Sequence, residues 1–92
     1  MNVQRYVLAI APTARKQLSE QLPETVAFAA YEFIIGPLLD NPYRVGKQLR
    51  PPLHDRRSAR RGTYRVIYRI DDGSRCVTVV GVFSRADAYR GG

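Results

Sequence analysis

The chain opens with Val3 to Ile10, a run rich in β-branched and aromatic residues that stops at Ala11-Pro12, which predicts a strand. Helical spacing follows at once: Pro12 and Thr13 suit a helix start, and Ala14, Leu18 and Leu22 recur on one face before Pro23 interrupts. Pro23 reads as the first-turn proline of a second helix, with Glu24 favourable beside its positive end. Thr25 to Ile35 is apolar on most sides and carries only Glu32 as a charge, so this helix is expected to lie between the sheet and the first helix, with Gly36-Pro37 ending or kinking it. Asp40-Asn41-Pro42 signals a turn, and Pro51-Pro52 with His54-Asp55 an irregular stretch. Ala59 to Ile70 and Arg75 to Phe83 both read as strands, joined by a turn at Asp71-Asp72-Gly73-Ser74.

A strand, two helices and a closing group of antiparallel strands predict an α+β fold with the helices packed on one face of a small twisted sheet. The 92 residues suffice for one domain, spanning 1–92, with a modest core and no need of a disulfide or metal staple. No internal repeat, low-complexity tract or linker interrupts it. Cys76, the single cysteine, sits in an apolar strand pattern away from any base and reads as a sheet or core residue. The N-terminus lacks the pattern of a secretory leader and the apolar runs fall far short of a membrane span, so the cytoplasm is the expected compartment.

Charge changes the picture more than size does. Thirteen arginines face two lysines, and the formal net charge is +7. A hydrophobic fraction of 45% places this charge on a folded domain rather than a disordered tail, and a folded surface of this kind calls for a polyanion or an acidic protein partner. Arginine's planar, permanently charged fork suits phosphate, which points to nucleic acid.

Much of that charge falls where strand alternation would display it. If Ala59 to Ile70 is one strand, Tyr64, Val66, Tyr68 and Ile70 share a core face, while Arg61, Thr63, Arg65, Ile67 and Arg69 share the other. Arg61, Arg65 and Arg69 would then form a row with about 13 Å between successive members, a spacing suited to separate phosphates. A single strand arginine is an ordinary solvated residue; several in register are a candidate anion surface. Gly62 within this run reads as a bulge or close approach, or as a simple kink at the strand start. Near the end of the chain Tyr89 stands between Arg85 and Arg90, a combination that fits stacking a base while gripping its phosphate, although a terminal tyrosine can equally be a lid on the core.

Other chemistry is thinly represented. One histidine and eight scattered acids offer no converging metal ligands, His54 falls in a proline-rich loop, and Ser58 and Ser84 have no histidine near them in sequence. A nuclease of this composition would proceed by attack of an RNA 2′-hydroxyl on its own adjacent phosphate. Arginines would stabilise the dianionic transition state of that step, but they are poor proton-transfer groups near neutrality.

The run GKQLR…SARRGTYRVIYRIDD, the strand VTVVGVF and the ending SRADAYR together resemble the RelE toxin family of the RelE/ParE superfamily, and the resemblance extends over nearly the whole chain. It implies a type II toxin with a RelE-like fold: a ribosome-dependent endoribonuclease that cleaves messenger RNA, needs no metal or organic cofactor, and is held inactive by an acidic RelB-like antitoxin in a hetero-oligomer. By motif position it implies that Arg65 stabilises the scissile phosphate, that Tyr89 stacks on a substrate base, and that Arg85 stabilises or protonates the leaving group. Lys47, Arg50, Arg60 and Arg61, with Arg69 and Arg90, are then the expected RNA or ribosome contacts. One position departs from the pattern: Ser84 stands where many relatives carry a histidine, and a serine is no proton donor near neutrality. The alternatives are a ParE-like poison of DNA gyrase and a catalytically silent RNA- or protein-binding member.

Overall fold

A computed structural model describes residues 5–84. In it the strands join one five-stranded mixed sheet in the order β1-β5-β4-β3-β2. Strand β1 (Val7–Ile10) lies at one edge and pairs in parallel with β5 (Cys76–Ser84). Strands β3 (Arg57–Arg61), β4 (Tyr64–Asp71) and β5 are antiparallel neighbours, and a two-residue strand β2 (Lys47–Gln48), which the hydrophobic pattern does not reveal, closes the far edge against β3.

Between β1 and the rest of the sheet run the two helices, α1 (Pro12–Lys16) and α2 (Glu24–Phe33). Each passes into a wider π-type stretch, Gln17–Gln21 after α1 and Ile34–Leu38 after α2. The widening after α2 begins ahead of Pro37, which lacks the amide proton an α-helical turn would use. Both helices cover one face of the sheet, where Ala14, Ala30, Phe33, Ile34 and Leu38 meet Val66, Tyr68, Val77, Val79 and Val82 in a core from which water is excluded. Tyr68 is wholly buried and donates to the Pro42 carbonyl at 2.7 Å, which satisfies its hydroxyl.

The second helix is not enclosed as its composition suggests. Only Ala30 and Phe33 of α2 are buried, while Phe28 is 64% exposed and Tyr31 faces solvent. A five-stranded sheet of these short strands offers one face to the helices, and α1 lies over β5, so the outer side of α2 has no layer above it.

Two features of the strands fix which side chains reach the uncovered face. The expected continuous strand through Ala59–Ile70 is broken into β3 and β4 by a tight turn at Gly62-Thr63, where Gly62 takes φ +55°. A two-residue hairpin turn needs positive φ at its first position, and glycine adopts it without strain. In β5 the pairing with β4 shifts by one residue between Ile67 and Tyr68, a β-bulge at Val80. The buried Gln17 side-chain oxygen, Oε1, accepts the Val82 amide at 2.7 Å just beyond that bulge.

Candidate nucleic-acid interface

The uncovered face of the sheet is built from alternate residues of β2 to β5. Across one row of the ladder Arg60 faces Arg65, which in turn faces Phe83; across the next, Lys47 faces Ser58, Ser58 faces Ile67 and Ile67 faces Gly81. Neighbouring strands lie about 4.8 Å apart, so Lys47, Arg60 and Arg65 occupy one cationic patch.

The hairpin turn at Gly62 corrects the expected row of Arg61, Arg65 and Arg69. Arg61 belongs to β3, opposite Tyr64, and its guanidinium lies 4.5 Å from the centroid of the Phe33 ring, toward the helical layer. Arg65 and Arg69 do share the open face of β4, about 13 Å apart along the strand. Arg69, opposite Thr78, lines a separate polar concavity together with Asp55, Asp71 and Asp72. Arg50 lies in the exposed loop after β2, where its carbonyl accepts the Leu53 amide at 2.9 Å. Arg85, Tyr89 and Arg90 lie outside the described residues.

Beside Arg65 the sheet and the 49–56 loop enclose an open concavity of about 490 Å³. Its apolar lining is Leu49, Leu53, Ile67, Val80 and Phe83, and its charged lining is Arg56 and Arg65. The loop is closed at its base by the Leu49 amide, which donates to the Arg56 carbonyl at 2.9 Å, and Gln48 Nε2 donates to the His54 carbonyl at 2.7 Å. His54 lines a different hollow with Tyr43 and Arg57, away from Arg65. Pattern reading missed Arg56, Leu53 and Phe83; the alternation of β5 assigns Phe83 to this face only once the bulge is known.

Electrostatically this patch is uncompensated among the described residues. Among the described residues the ion pairs are Arg5 with Asp40 at 2.7 Å and Arg56 with Asp55 at 4.0 Å; none engages Lys47, Arg60 or Arg65. The Nε of Arg65 is buried without a hydrogen-bond partner, as are those of Arg56 and Arg57. Among the described residues no group of three or more His, Cys, Asp or Glu side chains converges to hold a metal ion.

The acids are used elsewhere. The Asp72 carboxylate accepts from the Tyr43 hydroxyl and, at 2.6 Å, from the Tyr6 hydroxyl, joining the residue before β1, the segment before β2 and the β4–β5 turn. These two bonds, Tyr43's first, hold the Asp72 carboxyl below the usual carboxylate range, and they raise both tyrosine hydroxyls above theirs. Arg75, at φ +50°, places its guanidinium 4.3 Å from the Tyr6 ring centroid.

Comparison with known proteins agrees with this architecture. Residues 3–89 match the family described as the ParE toxin of type II toxin-antitoxin system, parDE. The chain belongs to the RelE/ParE superfamily of type II toxins. It is 49% identical to Toxin RelE of Mycobacterium tuberculosis over 92% of this chain and 87% of the relative. It is 47% identical to Toxin RelG of the same organism over 92% of this chain and 97% of the relative. Its fold matches the toxin–antitoxin complex RelBE2 from M. tuberculosis with a TM-score of 0.86 and 44% identity, covering 94% of this chain and 98% of that one. The intact E. coli RelBE toxin–antitoxin complex matches with a TM-score of 0.69 and 25% identity, over 85% of this chain and 94% of that one. Within this RelE/ParE fold no helix of the described residues is long and apolar enough to cross a membrane.

Proposed function

We propose that this toxin is a ribosome-dependent endoribonuclease that inhibits translation by cutting messenger RNA without a metal ion. The observation that carries the reading is the open-face patch: Arg65 opposite Arg60, beside a groove with an apolar floor. Such a patch fits a phosphodiester whose bases need an apolar surface.

In the proposed step the RNA 2′-oxygen attacks the adjacent phosphorus, the bond from phosphorus to the 5′-oxygen breaks, and a 2′,3′-cyclic phosphate forms. The 2′-hydroxyl proton leaves to a base and the departing 5′-oxygen gains a proton. Arg65 stabilises the added negative charge on the phosphoryl oxygens, where a fixed guanidinium is worth more than a mobile cation in water. Arg85 is assigned to the leaving group and Tyr89 to a substrate base, with Lys47, Arg50, Arg60 and Arg90 holding RNA or ribosome, while Arg61, on the helical side, and Arg69, in its separate concavity, are left to ribosome contact. With Ser84 unable to donate a proton near neutrality, the proton transfers fall to ribosomal groups or to water. The partner that silences the toxin is an acidic RelB-like antitoxin in a hetero-oligomer in the cytoplasm; the charge of +7 and the matching RelBE complexes support this.

The test is primer-extension mapping of transcripts in a reconstituted translation reaction with the protein, its Arg65→Ala variant, and a reaction lacking ribosomes. Cuts confined to translated codons and lost in the variant are expected. The family description, which names ParE, favours one second reading, a gyrase poison. Intact transcripts together with gyrase-dependent DNA breaks would establish that reading instead.

A further inference from the structure

One wall of the groove beside Arg65 has no part in the step just described. Phe83 lies directly across the β4–β5 ladder from Arg65, so the ring and the guanidinium rise from the same face with their Cβ atoms about 5 Å apart. A Cβ placed on Gly81 would sit 2.7 Å from Cε2 and 3.1 Å from Cζ of Phe83. The ring therefore folds back along β5 over a residue that has no side chain, and backbone supports it from below. Even so, Phe83 remains 37% exposed.

We infer that the Phe83 ring is a stacking platform for a single-stranded nucleobase, working with Arg65, which takes the phosphate of the same nucleotide or of its neighbour. The inference rests on the RNA reading above and adds to it a residue that contacts a base. An aromatic ring held in place next to a guanidinium is the arrangement by which single strands are bound: every base offers a π-face, and the cation takes the backbone. Leu53 and Ile67 complete an apolar surround, and no lining residue of the groove is acidic. Arg56 and Arg65 supply the cationic side of the same groove. An acidic peptide could satisfy the arginines, but it would leave the ring without a flat partner.

The chain has no tryptophan, so Phe83→Trp introduces a single indole at the platform. This variant is titrated at low ionic strength with short 2′-O-methyl RNA, which cannot be cleaved, and with an abasic strand of the same backbone. Saturable quenching by the base-bearing strand and little by the abasic one is expected. A labelled oligonucleotide should bind Phe83→Leu roughly 5- to 100-fold more weakly than the wild type, while Phe83→Trp retains affinity and both melt as the wild type does. No quenching, or equal quenching by the abasic strand, overturns the inference. So does quenching by a glutamate- and leucine-rich peptide but not by RNA, which would move the groove to a protein partner. If bases quench the indole while transcripts stay intact during translation, the platform stands and the nuclease reading falls.

Discussion

Arg60 and Arg65 face each other across the β3–β4 ladder, two cationic side chains on one surface with no carboxylate bridging them among the described residues. Like charges directly opposite in a sheet are destabilising, so this pair works against the fold of the free protein. Replacing Arg65 by alanine should leave the fold intact and leave its stability unchanged or raise it by about 0.2–1 kcal/mol. Urea unfolding at low and high salt checks this, with the gain shrinking as salt rises. The same substitution should remove growth inhibition on induction; a variant that still arrests growth would defeat the role proposed for Arg65.

The turn between those two arginines rests on one backbone angle. At Gly62 nothing lies within 4 Å of an added Cβ, so Gly62→Ala meets no clash and the cost is conformational alone. At φ +55° that cost is about 1–2 kcal/mol, and Gly62→Asn should recover part of it. Thermal denaturation of the wild type and the two variants measures the difference; a Gly62→Ala variant that melts with the wild type would show that the turn carries no such cost.

Gln17 is a buried polar side chain whose Oε1 accepts the Val82 amide. Gln17→Ala leaves that amide without a partner in a dry core and should cost about 1–3 kcal/mol. Gln17→Glu keeps an acceptor but buries a charge, so its stability should fall further as pH rises and the carboxylate ionises. A denaturant titration at two pH values separates these cases, and an unchanged midpoint for the alanine variant would refute the assigned role.

The Asp72 clamp predicts a stability plateau with two ends. Because the carboxyl is held below its ordinary range, its contribution is present at neutral pH and is lost as pH falls through that lowered value. The Tyr6 and Tyr43 hydroxyls are raised, so their contribution is present below the usual tyrosine range and is lost as pH climbs through the raised values. Asp72→Asn should flatten the unfolding midpoint at both ends. A variant whose pH profile overlays the wild type's would rule the clamp out.

Several elements could be read directly from the pattern. The β1 run before Pro12, the proline-led second helix, and the alternation that buries Tyr64, Val66 and Tyr68 are local signals with a local cause. Gly62 was visible but read as a bulge, a close approach or a kink at the strand start, and the hairpin turn it makes was not among those readings. Resolving it moved Arg61 to the helical side and put Arg60 opposite Arg65. Strand β2 is two residues long and has no periodicity to detect. Phe83 was unreadable as a groove residue because its direction depends on pairing between β4 and β5, a non-local fact.

The shift at Val80 also sets the parity of everything after it. Before it, Val77 and Val79 point to the core on odd positions; after it, Val82 points there on an even one. Remove one residue and the phase inverts: Phe83 would turn beneath the helices and Val82 would meet solvent. A single surplus amino acid thus decides which side chains at the end of the strand face outward and which face inward, giving Phe83 to the outer surface and Val82 to the interior.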